Sequence, residues 1–194
     1  MRWRRGRAER ARRTLDLEQS ALEERCAAVV GEVLERVVYV EMDHWGEPMW
    51  NHLPDFDSID HGIELHMASG RTFSLFWDDE MSLFDFGMNL RDGPVPVVDG
   101  TPRLDVTEAS RWRSLAGRVI TACDVIWSPV DGRAGVRDPQ TIRLDLGGER
   151  VLVTAYETPD GVTGHAGADH VTVFFGDAWE RRSDLTADIH SSVD

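Results

Sequence analysis

A chain of 194 residues, 41% of them hydrophobic, holds enough apolar material for one sizeable core or two small ones. No apolar run approaches the roughly 18 to 20 residues that cross a bilayer, so no transmembrane segment is expected. Every basic residue is arginine, and 21 arginines face 35 acids for a formal charge of −14.

The charge is unevenly spread. Arg2, Arg4, Arg5, Arg7, Arg10, Arg12 and Arg13 crowd the first thirteen residues beside a single acid, Glu9. The rest of the chain sets fourteen arginines against thirty-four acids, a formal charge of −20. A body that acidic repels nucleic-acid phosphates and favours a basic partner. No apolar core and small-residue cleavage site follow the basic stretch, so no secretory signal is expected. Cys26 and Cys123 sit in apolar surroundings and are expected as buried thiols, which fits a reducing cytoplasm. The absence of lysine points to a GC-rich bacterial coding sequence.

Residues 1–13 read as a flexible basic arm. Leu15, Leu22, Cys26, Val29, Val33 and Leu34 then recur at helical spacing and predict a helix over 14–35. The period falls to two after Arg36, giving a strand over Val37–Trp45. A loop rich in Pro and Asp follows over 46–60. A hairpin is predicted from Gly62–Met67 and Thr72–Trp77, with Ile63, Leu65 and Met67 on one face and Glu64 and His66 on the solvent face. Asp85–Arg91 makes a fourth strand, completing a unit over 14–92.

Residues 93–106 carry repeated turn chemistry and read as a linker. A short helix capped by Thr107 and ended by Gly117 follows. Then come a strand over Arg118–Trp127, a hairpin from Thr141–Leu146 and Arg150–Tyr156, and a last strand over His170–Phe175. These complete a second unit over 107–177, followed by a polar tail over 178–194.

The two units look alike. Arg36-Val37-Val38, Trp45, Ile63, Leu65 and Arg71 recur roughly eighty residues later as Arg118-Val119-Ile120, Trp127, Ile142, Leu144 and Arg150. The fold expected is therefore α+β, an internal duplication of two helix-plus-four-strand units. Their mainly antiparallel sheet would close one compact pseudo-two-fold body. Trp45, Trp77, Trp112 and Trp127 belong to its core.

Catalytic signatures are missing. The chain has no nucleophile elbow, no phosphate-binding glycine loop and no dinucleotide fingerprint, so no cofactor is expected. Histidines and acids crowd the first unit, and His44, His52, His61 and Asp57 are the candidate metal ligands. None of them has helical metal-ligand spacing. His165 and His170 flank Asp169 in a glycine-rich stretch, a candidate general-base loop.

The function expected is non-catalytic: a cytoplasmic protein whose acidic surface binds another protein, with an immunity-type inhibitor of a basic toxin or a regulator as its concrete versions. Its binding surface would include Trp50, His52, Asp55, Asp57, His61, His165 and Asp169. The rival is a small-molecule-binding protein or metal-dependent enzyme with a pocket between the units, lined by 46–61 and 157–169.

Overall fold

The structure is a computed structural model and describes residues 18–41, 51–53, 56–78, 87–97, 99–109, 111–129, 137–157 and 165–181. The predicted helix, α1, covers residues 18–29 of this set. Leu22, Cys26 and Val29 lie on one face of it, at spacings of four and three, and all three are buried. The helix stops where Gly31 takes a φ of 92°, the left-handed conformation that ends helices and suits glycine. Val33 and Leu34 fit the helical pattern, but beyond this break they belong to a bridge and a strand.

Eleven strands are described: β1 (Leu34–Val40), β2 (Asn51–His52), β3 (Phe56–Ile59), β4 (Gly62–Met67), β5 (Thr72–Asp78), β6 (Gly87–Asp92), β7 (Arg103–Asp105), β8 (Ile120–Pro129), β9 (Arg137–Leu146), β10 (Glu149–Glu157) and β11 (His165–Phe175). They form two antiparallel sheets. The first has the order β6-β5-β4-β1-β7, and the second has the order β2-β3-β11-β10-β9-β8.

The two sheets face each other across one core. Leu34, Val37 and Tyr39 of β1, Ile63, Leu65 and Met67 of β4, and Phe73 and Leu75 of β5 share a cluster with Ile142, Leu144, Val151, Val153, Val171 and Val173 of the second sheet. Side chains alternating along each strand supply the two inner faces. Each fully buried aliphatic or aromatic side chain contributes about 1.5–3 kcal/mol, so this shared interior is the main source of stability. The helix packs at its flank. Arg25 bonds Asn89 Oδ1 and the Leu90 carbonyl of β6, while the Gly31 N–H bonds the Ile120 carbonyl of β8.

This architecture overturns the expected duplication. Among the described residues the protein is mostly sheet with one helix, and no helix-plus-strand unit recurs. In place of the second helix there is a three-residue 3₁₀ turn, Trp112–Ser114. Thr107 caps no helix: its hydroxyl accepts a bond from the Val37 N–H at 2.9 Å. Within the predicted 46–60 loop, β2 and β3 join the second sheet, and within the predicted linker β7 joins the first. The sheets therefore do not divide the chain into halves. The recurrences have a plainer cause, because both sheets contain four neighbouring antiparallel strands and any strand with one inner face alternates alike.

The outer faces are covered too. Segment 93–97 lies over the first sheet, where Val95 and Val97 pack on Val40 and Phe76. Glu64 points to that outer face as predicted but is buried, not solvated. Its Oε1 accepts from the Val95 N–H at 2.9 Å and from Arg103, and His66 stands 3.4 Å from its other oxygen. On the second sheet, Ala178 and Trp179 pack with Phe56, Leu152, Tyr156 and Phe174. Trp112 is fully buried as expected, Trp77 and Trp127 are partly buried core neighbours, and Trp45 lies outside the described residues.

Candidate functional site

Strand direction sends four connections out of the same end of the sandwich. The pairs Val40 with Gly62, Asp78 with Gly87, Pro129 with Arg137 and Glu157 with His165 all lie there. The sheets are in step because β3 ends at Ile59, opposite Val171, and β4 begins at Gly62. The ends of scaffold strands are where binding and catalytic groups concentrate.

Polar side chains meet there. The alternation that turns Val37 and Tyr39 inward continues to Glu41, whose side chain is completely buried. Its Oε2 accepts a 3.2 Å bond from the Asp60 N–H, and among the described residues its Oε1 has no hydrogen-bond partner. Burial, with the Asp60 carboxylate nearby, raises the Glu41 pKa from 4.5 to about 8. At neutral pH this carboxyl is mainly protonated.

Asp60 is the hub of the cluster. His170 Nε2 of β11 stands 3.6 Å from its Oδ1, and the Trp77 indole N–H donates to its backbone carbonyl at 3.2 Å. His61 packs edge-on against Trp77, with ring centroids 5.6 Å apart. Among the described residues neither His61 ring nitrogen makes a hydrogen bond of normal geometry. Burial lowers its pKa, against the opposing pull of the Asp60 carboxylate and the Pro96 backbone. Glu41 and Asp60 form a buried floor, and His61, Trp77 and His170 a partly exposed rim. Such a set can hold a proton or accept N–H donors.

A second polar group lies deeper in the interior. Tyr39 donates to Asp57 Oδ2 at 2.7 Å, the Trp112 indole donates to the Tyr39 hydroxyl at 2.6 Å, and Arg111 reaches Asp57 Oδ1 at 2.9 Å. Arg111 also bonds the Leu53 carbonyl and lies over the Phe175 ring. Burial and Asp57 hold the Tyr39 pKa well above its ordinary value. These partners lie within the fold, so this network joins β1, β3, the 3₁₀ turn and β11.

Of the residues singled out from sequence, Asp57 belongs to that interior network and His61 to the polar end. His52 falls in β2, and His165 and Asp169 fall in β11. His44, Trp50 and Asp55 lie outside the described residues. Among the described residues no three His, Cys, Asp or Glu side chains are placed to hold a metal ion. Glu41, Tyr39, Arg111 and Trp112 were not singled out as site residues. Period-two alternation from Val37 was the available signal for Tyr39 and Glu41.

No protein-family model, curated protein or solved structure matches this chain. Among the described residues no helix is long and apolar enough to cross a membrane.

Proposed function

We propose that this is a cytoplasmic bacterial binding protein whose acidic surface docks a basic protein partner, acting as an inhibitor of the immunity type or as a regulator. The observation that carries this reading is how the arginines are used. Arg36 faces Asp105, Arg71 faces Glu32 and Asp92, Arg113 faces Glu108, Arg143 faces Asp124, Arg150 faces Glu180 and Arg181 faces Asp177. Arginines so engaged present little free positive charge, while the acids outnumber them. Glu23, Glu24, Glu35, Asp99 and Glu149 add exposed negative charge. A shallow groove beside β7 is lined by Glu35, Asp105 and Glu108 with Arg36 and Thr107. An acidic field of this kind speeds encounter with a basic protein and disfavours nucleic acid.

The test is capture from a lysate of the source organism on the immobilised chain, at low and high salt, with partners identified by mass spectrometry. The expected result is a basic protein retained at low salt and released at high salt, its binding then confirmed with purified components. Retention of acidic partners only, or of none, overturns the reading.

A second reading rests on Glu41. A buried carboxyl with a raised pKa, grouped with Asp60 and two histidines at the loop-bearing end, also fits a small-molecule site.

A further inference from the structure

Four carboxyl side chains among the described residues are buried, and the fold treats them differently. Asp57 is paired with Arg111, Glu64 with Arg103, and Asp60 faces His170 Nε2 at 3.6 Å. Glu41 is the most deeply buried of the four, yet among the described residues no arginine pairs with it. Among the described residues its Oε1 has no partner, and neither ring nitrogen of His61, the next residue after Asp60, makes a hydrogen bond of normal geometry. A carboxylate left out of water without a cation is costly, and the fold elsewhere meets that cost with its own guanidinium groups.

We propose that this end of the sandwich is a binding site for a primary ammonium group, held between Glu41, Asp60 and a His61 ring nitrogen, with the Trp77 ring as its wall. The chemistry selects that ligand. An ammonium carries three N–H donors and no acceptor, and the site offers separate single acceptors on three side chains, not one flat fork for a guanidinium. Trp77 adds an aromatic surface of the kind that attracts cations. The described residues place no three ligands together for a metal ion. The acidic surface raises the local concentration of cations. The proposal goes beyond the partner-binding reading and does not depend on it. The ammonium comes either from a free alkylamine or from a lysine side chain.

Binding replaces the Glu41 proton with the ligand's positive charge, because burial holds that carboxyl protonated near neutral pH. The titratable side chains around it are Asp60 and, through Asp60, His61 and His170. The experiment is isothermal titration of the full chain with n-butylammonium at several pH values from about 6 to 8, in buffers of differing ionisation enthalpy. Expected are saturable binding, an affinity that rises about tenfold per pH unit over this range, and release of about one proton. Tetramethylammonium, which has no N–H, should bind at least about tenfold more weakly.

Glu41→Gln should remove the proton release and most of the affinity, and Asp60→Asn should weaken binding. Circular dichroism checks that each variant is folded. If a variant fails to fold, the wild-type pH dependence and the tetramethylammonium comparison decide. Butylammonium binding with Nα-acetyl-lysine methylamide excluded assigns the site to free amines; equal or tighter binding of the lysine amide assigns it to a lysine side chain. No saturable butylammonium binding, or equal binding of tetramethylammonium with no proton released, overturns the proposal. A basic protein captured without any ammonium binding would leave the partner reading standing and remove this one.

Discussion

Arg111 Nη1 and Asp57 Oδ1 stand 2.9 Å apart inside the sandwich, and both side chains are largely out of water. The second carboxylate oxygen takes the Tyr39 hydroxyl, which itself accepts from Trp112. Removing the guanidinium strands a buried charge, and loss of one partner from a buried pair typically costs about 3–5 kcal/mol. Arg111→Ala should therefore lose stability of that order in urea unfolding. The double variant Arg111→Met with Asp57→Leu should be markedly less damaged than the sum of the two single changes. Additive losses in that cycle would show that the pair is not coupled.

Glu41 makes stability depend on pH in an unusual direction for a carboxylate. Its pKa is raised in the fold, to about 8 from 4.5, so the native state holds more protons than the unfolded chain between those values. Its stabilising contribution is fully present below the unfolded pKa. It is lost progressively as pH rises, until the folded pKa has been passed. At ~1.4 kcal/mol per pK unit, the whole swing is on the order of a few kcal/mol. Glu41→Gln keeps the shape and removes the titration, so the variant should gain on the wild type steadily as pH rises towards about 8. Denaturant titrations of both proteins across that range measure the difference; parallel curves would contradict the assignment.

How legible these features were depended on distance along the chain. The hairpins at 62–77 and 141–156 announce themselves because alternation is local and a short turn joins the strands. The strands β2, β3 and β7 were hidden in proline- and aspartate-rich segments. They are short, and β3 finds its partner β11 more than a hundred residues away. Nothing local encodes such a pairing. The same holds for the sites. His61 stood out as a metal-type ligand, but its neighbours among the described residues include Asp60 and Trp77. Asp57 read as a surface acid because its loop is polar, and only the packing of β3 under the 3₁₀ turn buries it. Glu41 followed a strand whose alternation already faced it inward.

Gly62 opens β4 directly after Asp60 and His61. A Cβ there would lie 2.9 Å from both the Leu75 carbonyl oxygen and Phe76 Cβ, and 3.3 Å from a Val95 methyl. Backbone on one side and a packed side chain on the other leave no easy relaxation. Gly62→Ala should destabilise the protein by about 1–3 kcal/mol, the usual cost of overpacking. It should also disturb the pH dependence attributed to Glu41, because the β4–β5 separation sets where Asp60 lies. A thermal midpoint within error of the wild type would refute the close packing of β4 on β5.

Cys26 of α1 and Cys123 of β8 are 97 positions apart in the chain, but both are buried in the same core cluster. The neighbouring Cys26 thiol and burial push the Cys123 thiol far above its ordinary pKa, so almost no thiolate forms there. Both thiols are free and buried. Reaction with an aromatic disulfide reagent should therefore be slow in the folded protein and limited by opening of α1 from the sheet, with both thiols reacting promptly in denaturant. Cys26→Ser substitutes a stronger hydrogen-bonding group into an apolar seam and should cost about 1–3 kcal/mol. Its effect on Cys123 is the sharper readout. With its thiol partner changed and the helix loosened, Cys123 should label several-fold faster than in the wild type under native conditions. An unchanged labelling rate would mean that the contact between the two sulfurs does not help to hold the helix on the sheet.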